Sequence, residues 1–340
     1  MPTKKISGNP DSNGFVRLIL VKPFAEEASN RGADVGAVVG SFGLTMADLK
    51  DPSRFVHAET IYKVVDQLAE QANDPHLGYH VGSKLDFAIW PPFQRAVNEA
   101  RTVGEFLTAY LSAVPSEANS VRHELSITAE GACYRVKRLV QAKTSLQHTE
   151  AFGAAIFIRL FQSITGNAWK PAHMTVKTLY AEALPKCVHG VVVEHKNEAG
   201  LETHFPSCWL YEPLQLNSQL RNKTILKPEG NRDVTLLNVF RNTAASMLQD
   251  LGSGAQEVAQ AIGVAAATLE AALKKEGTSA AKEFRRLRVE TAQRRLTGGT
   301  DKVSTIATDL GYSDPAHFTR FFRNQTGLSP TEYRSQNSSK

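Results

Sequence analysis

Between Val303 and Arg334 the chain reads VSTIATDLGYSDPAHFTRFFRNQTGLSPTEYR, two short amphipathic segments separated by one glycine. Val303, Ile306, Ala307 and Leu310 fall at i, i+3, i+4 and i+7, the spacing of a single buried helical stripe, and Gly311 ends it. Ser313 stands where a second helix needs a cap, with Asp314 and Pro315 in the first turn. There a carboxylate meets the positive end of the helix dipole, and the N–H that proline lacks has no helical partner to lose. This helix is expected to run to Gln325, with Phe318, Phe321 and Phe322 toward a core and His317, Arg320 and Arg323 on the opposite side. Gly327 fits a helix stop, and Ser329-Pro330-Thr331-Glu332 restarts a helix with a cap, an N1 proline and a glutamate three residues on.

Two helices meeting at a tight glycine turn, the second offering cations outward, is the helix-turn-helix arrangement, whose second helix enters a DNA major groove. The competing reading is a small helical bundle whose arginines only face water. Gly311-Tyr312-Ser313-Asp314, His317-Phe318, Arg320, Phe322-Arg323, Gly327, Ser329-Pro330 and Tyr333-Arg334 resemble the C-terminal signature of the AraC/XylS transcription regulators. That resemblance implies two helix-turn-helix units joined by one long helix. A second glycine turn is indeed present upstream: Val258, Ala259 and Ile262 form a stripe in Gln256–Ile262, Gly263 makes the turn, and Ala265–Lys274 continues with Leu269 and Leu273 inward. The units are therefore placed at 256–274 and 303–325. Glu283–Leu296 reads as the connecting helix, and its fourteen residues span roughly 20 Å, a strut for heads in groove turns about 34 Å apart.

The first unit departs from the family pattern. Ala265, Ala266 and Ala267 stand where relatives carry a polar cap and arginines, so Thr268 is its remaining polar reader. Alanine offers no donor to a base edge. The second unit is expected to carry most direct readout through His317 and Arg320, with Ala316 beside them. Lys274, Arg288, Arg294, Arg295 and Arg323 are expected on phosphates, while Glu270 reads as a solvated helix face.

Charge is consistent with a polyanionic partner. The chain has a net +5, and from Lys282 to the end eleven Lys and Arg face six acids, so this segment equals the whole excess. No apolar stretch is long enough for a membrane span, and the polar start MPTKKISGNPDSNG has no secretory core, so a cytoplasmic protein is expected. Cys133, Cys187 and Cys208 are odd in number without C-x-x-C spacing, and are expected to be buried free thiols. His189, His195 and His204 match no metal-ligand spacing, and Glu194 and Glu202 read as surface residues. Catalytic elbows, phosphate loops and dinucleotide fingerprints are missing from the sequence, so no catalytic residue, metal or cofactor is expected.

At 340 residues the chain exceeds one DNA-binding module. It is divided into a disordered arm (1–13), a sensing and dimerisation domain (14–216), a linker (217–233) and the DNA-binding domain (234–336). The 14–216 stretch reads as helices, notably Ala58–Ala72, Val103–Ala113 and Leu146–Ile164. Phe15–Val21 is an apolar run, and strand-like segments lie at His173–Leu179 and Val188–Val193, with a hairpin of Ser120–Thr128 and Cys133–Val140 around Glu130-Gly131. The fold class is thus an α+β N-terminal domain, helices plus a small, mostly antiparallel sheet, followed by an all-α double helix-turn-helix domain. Val39-Gly40 through Leu49, Asp51-Pro52, Asn73-Asp74-Pro75, Leu77-Gly78 and Pro213-Leu214 resemble the arabinose-binding-like sensor of an AraC/XylS branch. This implies a small-molecule effector, a homodimer, promoter DNA and RNA polymerase as partners, and activation of transcription. Within Phe87–Phe93, Trp90 and Phe93 are candidate pocket walls, with Arg95 to hold an anion; a buried loop is the plain alternative. Two other functions stay open: a regulator without an effector, controlled by abundance or a protein partner, and a DNA-repair-type enzyme with a reactive cysteine.

Overall fold

The structure is a computed structural model that describes residues 14–87, 90–215 and 234–337. The expected arm at 1–13 and linker at 217–233 lie outside the described residues, as do Ala88 and Ile89 of the aromatic stretch. The chain divides into two compact units, Met1–Thr235 and Leu236–Lys340.

In the N-terminal unit, β1 (Phe15–Arg17) pairs antiparallel with β2 (Phe55–His57), and α1 (Lys22–Asn30), α2 (Val35–Ser41) and α3 (Ala58–Gln71) pack around them. The apolar run Phe15–Val21 supplies β1 and then, over Leu18–Val21, a 3-10 helix that buries Leu18 and Val21. α4 (Leu77–Lys84), α5 (Pro91–Glu99) and α6 (Val103–Ala113) follow, the last capped by Thr102 Oγ1, which accepts the Glu105 amide at 3.2 Å.

A six-stranded sheet then forms from β3 (Val121–Thr128), β4 (Gly131–Arg138), β5 (Thr175–Thr178), β6 (Cys187–Val188), β7 (Val191–His195) and β8 (Gly200–Phe205), in the order β3-β4-β8-β5-β7-β6. The expected hairpin is present, with Val121 opposite Arg138 and His123 opposite Val136. Only β5 and β7 run parallel, so the sheet is mostly antiparallel. β8 was not anticipated: its inward residues Leu201, Thr203 and Phe205 alternate with Glu202 and His204, and that polar half makes GLETHF read as surface.

α7 (Gln147–Thr165) lies between two apolar clusters, with Phe152 toward the α1–α3 cluster and Phe157 and Phe161 toward the sheet. It meets α4 at very close range. A Cβ on Gly78 would sit 2.0 Å from the His148 carbonyl oxygen, and one on Gly82 would sit 2.6 Å from that of Phe152. Glycines one turn apart are what let the two backbones touch. Of the cysteines only Cys133 is buried; Cys187 and Cys208 are exposed, at the sheet edge and in a 3-10 turn, which corrects the expectation of buried thiols. Among the described residues no helix is long and apolar enough to cross a membrane.

The C-terminal unit is all helical: α8 (Leu236–Ala245), α9 (Ala255–Ile262), α10 (Ala266–Lys275), α11 (Ala280–Gly298), α12 (Val303–Asp309), α13 (Pro315–Thr326) and α14 (Pro330–Asn337). α11 begins earlier than the sequence suggested because Ser279 caps it, accepting the Lys282 amide at 3.4 Å; its 19 residues extend about 28 Å. α8, which carries α9 and α10 against it, packs on α11, as do α12, α13 and α14. Glu283, buried on α11, accepts from Arg241 Nε on α8 and from Thr278 Oγ1, both at 2.7 Å. Burial would raise its pKa, but these partners outweigh that cost and hold the carboxyl below the usual range.

Candidate nucleic-acid interface and sensor cavity

In the second helix-turn-helix, α12 buries Ile306 and Ala307 and ends at a left-handed Gly311, φ +89°. A Cβ there would lie 2.5 Å from the Gln249 carbonyl oxygen, so both conformation and space demand glycine. The cap of α13 is Asp314, not Ser313: Asp314 is extended and its Oδ1 accepts the Ala316 amide at 2.8 Å, with Pro315 at the first helical position. Phe318 and Phe322 are fully buried, while Phe321 is half-buried against the Tyr312 ring. These rings fix the rotation of α13. Ala316, His317, Arg320 and Arg323 are consequently exposed. His317 Nε2 lies 4.0 Å from Asp314 Oδ2, and Arg320 has no ion pair or hydrogen bond among the described residues. α14 starts with a full capping box, in which Ser329 N donates to Glu332 Oε2 at 2.7 Å and Glu332 N to Ser329 Oγ at 3.3 Å.

The first helix-turn-helix repeats the backbone without the side chains. Gly263 is left-handed at φ +79° and Leu269 and Leu273 are buried, but Ala265 provides no side-chain cap for α10. Thr268 is half-buried and Lys274 exposed.

Two of the expected phosphate contacts are committed elsewhere. Arg288 is 6% exposed, its Nη2 donates to the Asp250 carbonyl at 3.1 Å, and its guanidinium lies 5.5 Å from the Phe284 ring centre. Burial lowers its pKa, and the side chain fastens α11 to the loop before α9. Arg295 donates from Nη1 to Asp309 at 2.7 Å and from Nη2 to Asp301 at 2.7 Å, bonds that raise its pKa and neutralise its charge. Neither faces outward as a free cation. Lys274, Arg294 and Arg323 remain exposed.

In the N-terminal unit a cavity of about 190 Å³ lies between the two apolar clusters. Trp90 and Phe93 line it as anticipated, and Trp90 Nε1 donates to Tyr110 Oη at 3.2 Å. Arg95 does not line it; the arginine that does is Arg138, beside His123 on the β3–β4 hairpin. Alternation along β3 marked His123, but Arg138 shares its face only through cross-strand register, which sequence spacing leaves undefined. His123 Nδ1 is 2.8 Å from Tyr134 Oη, and burial, with Arg138 adding to it, pushes its pKa down to about 3, so the ring is neutral. Burial likewise pushes Tyr110 up to about 12.

The sheet also joins residues far apart in sequence: Cys133 Sγ lies 3.8 Å from His204 Nε2, which lies 3.3 Å from Glu202 Oε2. Metal-ligand spacing misses this trio because β4 and β8 bring it together. Glu202 is already held by Arg135 at 3.1 Å and Lys196 at 3.4 Å. Burial raises the Cys133 thiol.

Two family models match the chain: a helix-turn-helix domain over residues 258–336, and the N-terminal arabinose-binding domain of AraC transcription regulators over 32–183. The HTH-type transcriptional activator RhaS of Escherichia fergusonii is 30% identical over 125 residues, 36% of this chain and 43% of RhaS, so the chain spans under half of that relative. The HTH-type regulator Rv1395 of Mycobacterium tuberculosis is 24% identical over 93% of this chain and 95% of its own. Among solved structures, the transcriptional regulator CdpR of Pseudomonas aeruginosa aligns over 88% of this chain and 96% of its own at 17% identity, with a TM-score of 0.35. A sensor-type match followed by a DNA-binding match, on a chain with two helix-turn-helix units around one long helix, makes this protein a member of the AraC/XylS family of DNA-binding transcription regulators.

Proposed function

We propose that the chain is a small-molecule-responsive activator that reads promoter DNA mainly through α13. The observation that carries this is the exposed row of His317, Arg320 and Arg323 on a helix whose rotation is fixed by buried Phe318 and Phe322. Arg320 and His317 are assigned to base edges, with Ala316 offering a methyl contact to thymine and Thr268 a minor contact from α10. Lys274, Arg294 and Arg323 are assigned to phosphates. The cavity lined by Trp90 and Phe93 is assigned to the effector, a reading supported by the sensor-type family match over 32–183. Activation, contact with RNA polymerase, a homodimer and a cytoplasmic setting complete the proposal; the name of RhaS as an activator supports the first of these.

The test is selection of random duplexes by the purified full chain, followed by titration of the enriched site over a range of salt. One sharp half-motif and affinity falling steeply with salt are the expected result. Equal affinity for every duplex would defeat the reading. Sedimentation of the same sample checks the dimer.

A further inference from the structure

We infer that the effector is a small carboxylic acid with an apolar ring or short acyl body, its carboxylate held by Arg138. This rests on the reading that the N-terminal unit takes a small molecule.

The cavity wall is almost wholly apolar, with Phe87, Trp90, Phe93, Phe157 and Leu160 among its members. A sugar presents hydroxyls on every side, and each one buried without a partner is penalised. An apolar body has no such cost here. The volume, about 190 Å³, compares with an apolar cavity of roughly 150 Å³ that accepts benzene, and so suits one ring or a short chain.

Arg138 gives that apolar chamber one charged end. Its Nη1 donates to Tyr62 Oη at 3.2 Å and its guanidinium lies 5.6 Å from the Tyr62 ring centre. Its Nε is buried without a hydrogen-bond partner. Glu150 Oε1 stands 3.8 Å from that Nε, but the carboxylate is spent on other donors, Thr178 Oγ1 and the Gly200 amide, both at 2.5 Å. Glu150 therefore balances part of the charge without a hydrogen bond to Nε, and with Nη1 on Tyr62 the fork keeps Nε and Nη2 without a hydrogen bond among the described residues. A planar fork of donors matches a carboxylate by two parallel hydrogen bonds. Neutral His123 lines the same cavity without adding a competing positive charge.

The experiment uses the full chain and five probes: benzoate, hexanoate, benzamide, hexanamide and L-arabinose, followed by thermal shift and calorimetry. An acid is expected to bind at least about 10-fold more tightly than its amide, and Arg138→Met is expected to remove about 10- to 100-fold of acid affinity while leaving the amide unchanged. Ile156→Trp, which fills the cavity and keeps Arg138, should abolish binding of both. If Arg138→Met does not fold, the acid-against-amide contrast on the unaltered chain decides alone. Acids no better than amides, acid affinity indifferent to Arg138, or binding of L-arabinose in their place would overturn the carboxylate assignment. A bacterial metabolite extract run alongside separates the two levels. A shift from the extract without one from the acids removes only the ligand class, whereas silence from both removes the effector reading too.

Discussion

The two helix-turn-helix units of the C-terminal domain share a backbone plan and differ in nearly every side chain that could meet DNA. Both place a left-handed glycine between their helices, Gly263 in one and Gly311 in the other, and both bury an apolar stripe of the second helix. Beyond that they diverge. α13 has an Asp314 cap, an N1 proline and an outward row of His317, Arg320 and Arg323; α10 starts on uncapped Ala265 and continues with Ala266, Ala267 and Thr268. The same packing plan thus carries two different outward surfaces, cationic on α13 and rich in methyl groups at the start of α10.

The strongest way to break the pairing is at the turns. Gly311→Ala combines left-handed strain with a Cβ driven to within 2.5 Å of the Gln249 carbonyl oxygen, and is expected to destabilise the domain by about 3 kcal/mol. Gly263→Ala carries the conformational strain at φ +79° and is expected to cost about 1 kcal/mol. Denaturant midpoints of the two variants test this. Equal losses would mean that the Gln249 backbone gives way and that the second turn is no more tightly built than the first.

Next in size is the contrast in recognition. Arg320→Ala is expected to weaken binding to the selected site by about 1 to 3 kcal/mol and to relax preference at one base position. Thr268→Ala should change affinity by less than about 0.5 kcal/mol, because Thr268 is half-buried and follows Ala265, Ala266 and Ala267. Binding curves on the selected site and on scrambled DNA read both. An equal Arg320→Ala loss on scrambled DNA would assign this guanidinium to phosphate, and a large Thr268→Ala effect would restore the first unit as a reader.

What the sequence disclosed depends on whether the decisive contact is local. The stripes of α12 and α13 and the capping box at Ser329 are set by residues close in sequence, and the structure has them; the alternation along β3 holds only in part, since Glu124 is half-buried and Ile127 is exposed. Ser313 against Asp314 is a one-residue shift in which the better-placed carboxylate took the cap. The larger misses involve distant partners. Arg288 looks like any surface cation until Asp250 and Phe284 enclose it, and Arg295 until Asp301 and Asp309 close on it. β8 was hidden by its outward Glu202 and His204, and Arg138 reaches the cavity only because β3 and β4 pair with Val121 opposite it. Arg95, a few residues from the right aromatic pair in sequence, lies outside the cavity lining.

The caps, each with an expected effect on stability of about 1 kcal/mol or less, ask whether the weakness of the first unit can be repaired. Asp314→Ala removes the acceptor for the Ala316 amide and should lower stability by about 1 kcal/mol. Ala265→Asp runs the other way: the residue is already extended, φ −71° and ψ 138°, as a cap requires, and its side chain is exposed, so a carboxylate can accept an amide of the first turn of α10 without displacing anything buried. A gain of about 0.5 to 1 kcal/mol is expected, read as a higher thermal midpoint. The new charge also stands at the end of α10 that approaches DNA in a helix-turn-helix, so the variant should bind duplex more weakly even as it folds more stably. If binding were unchanged, α10 would not come near the phosphates, and the first unit would act as scaffold for the second.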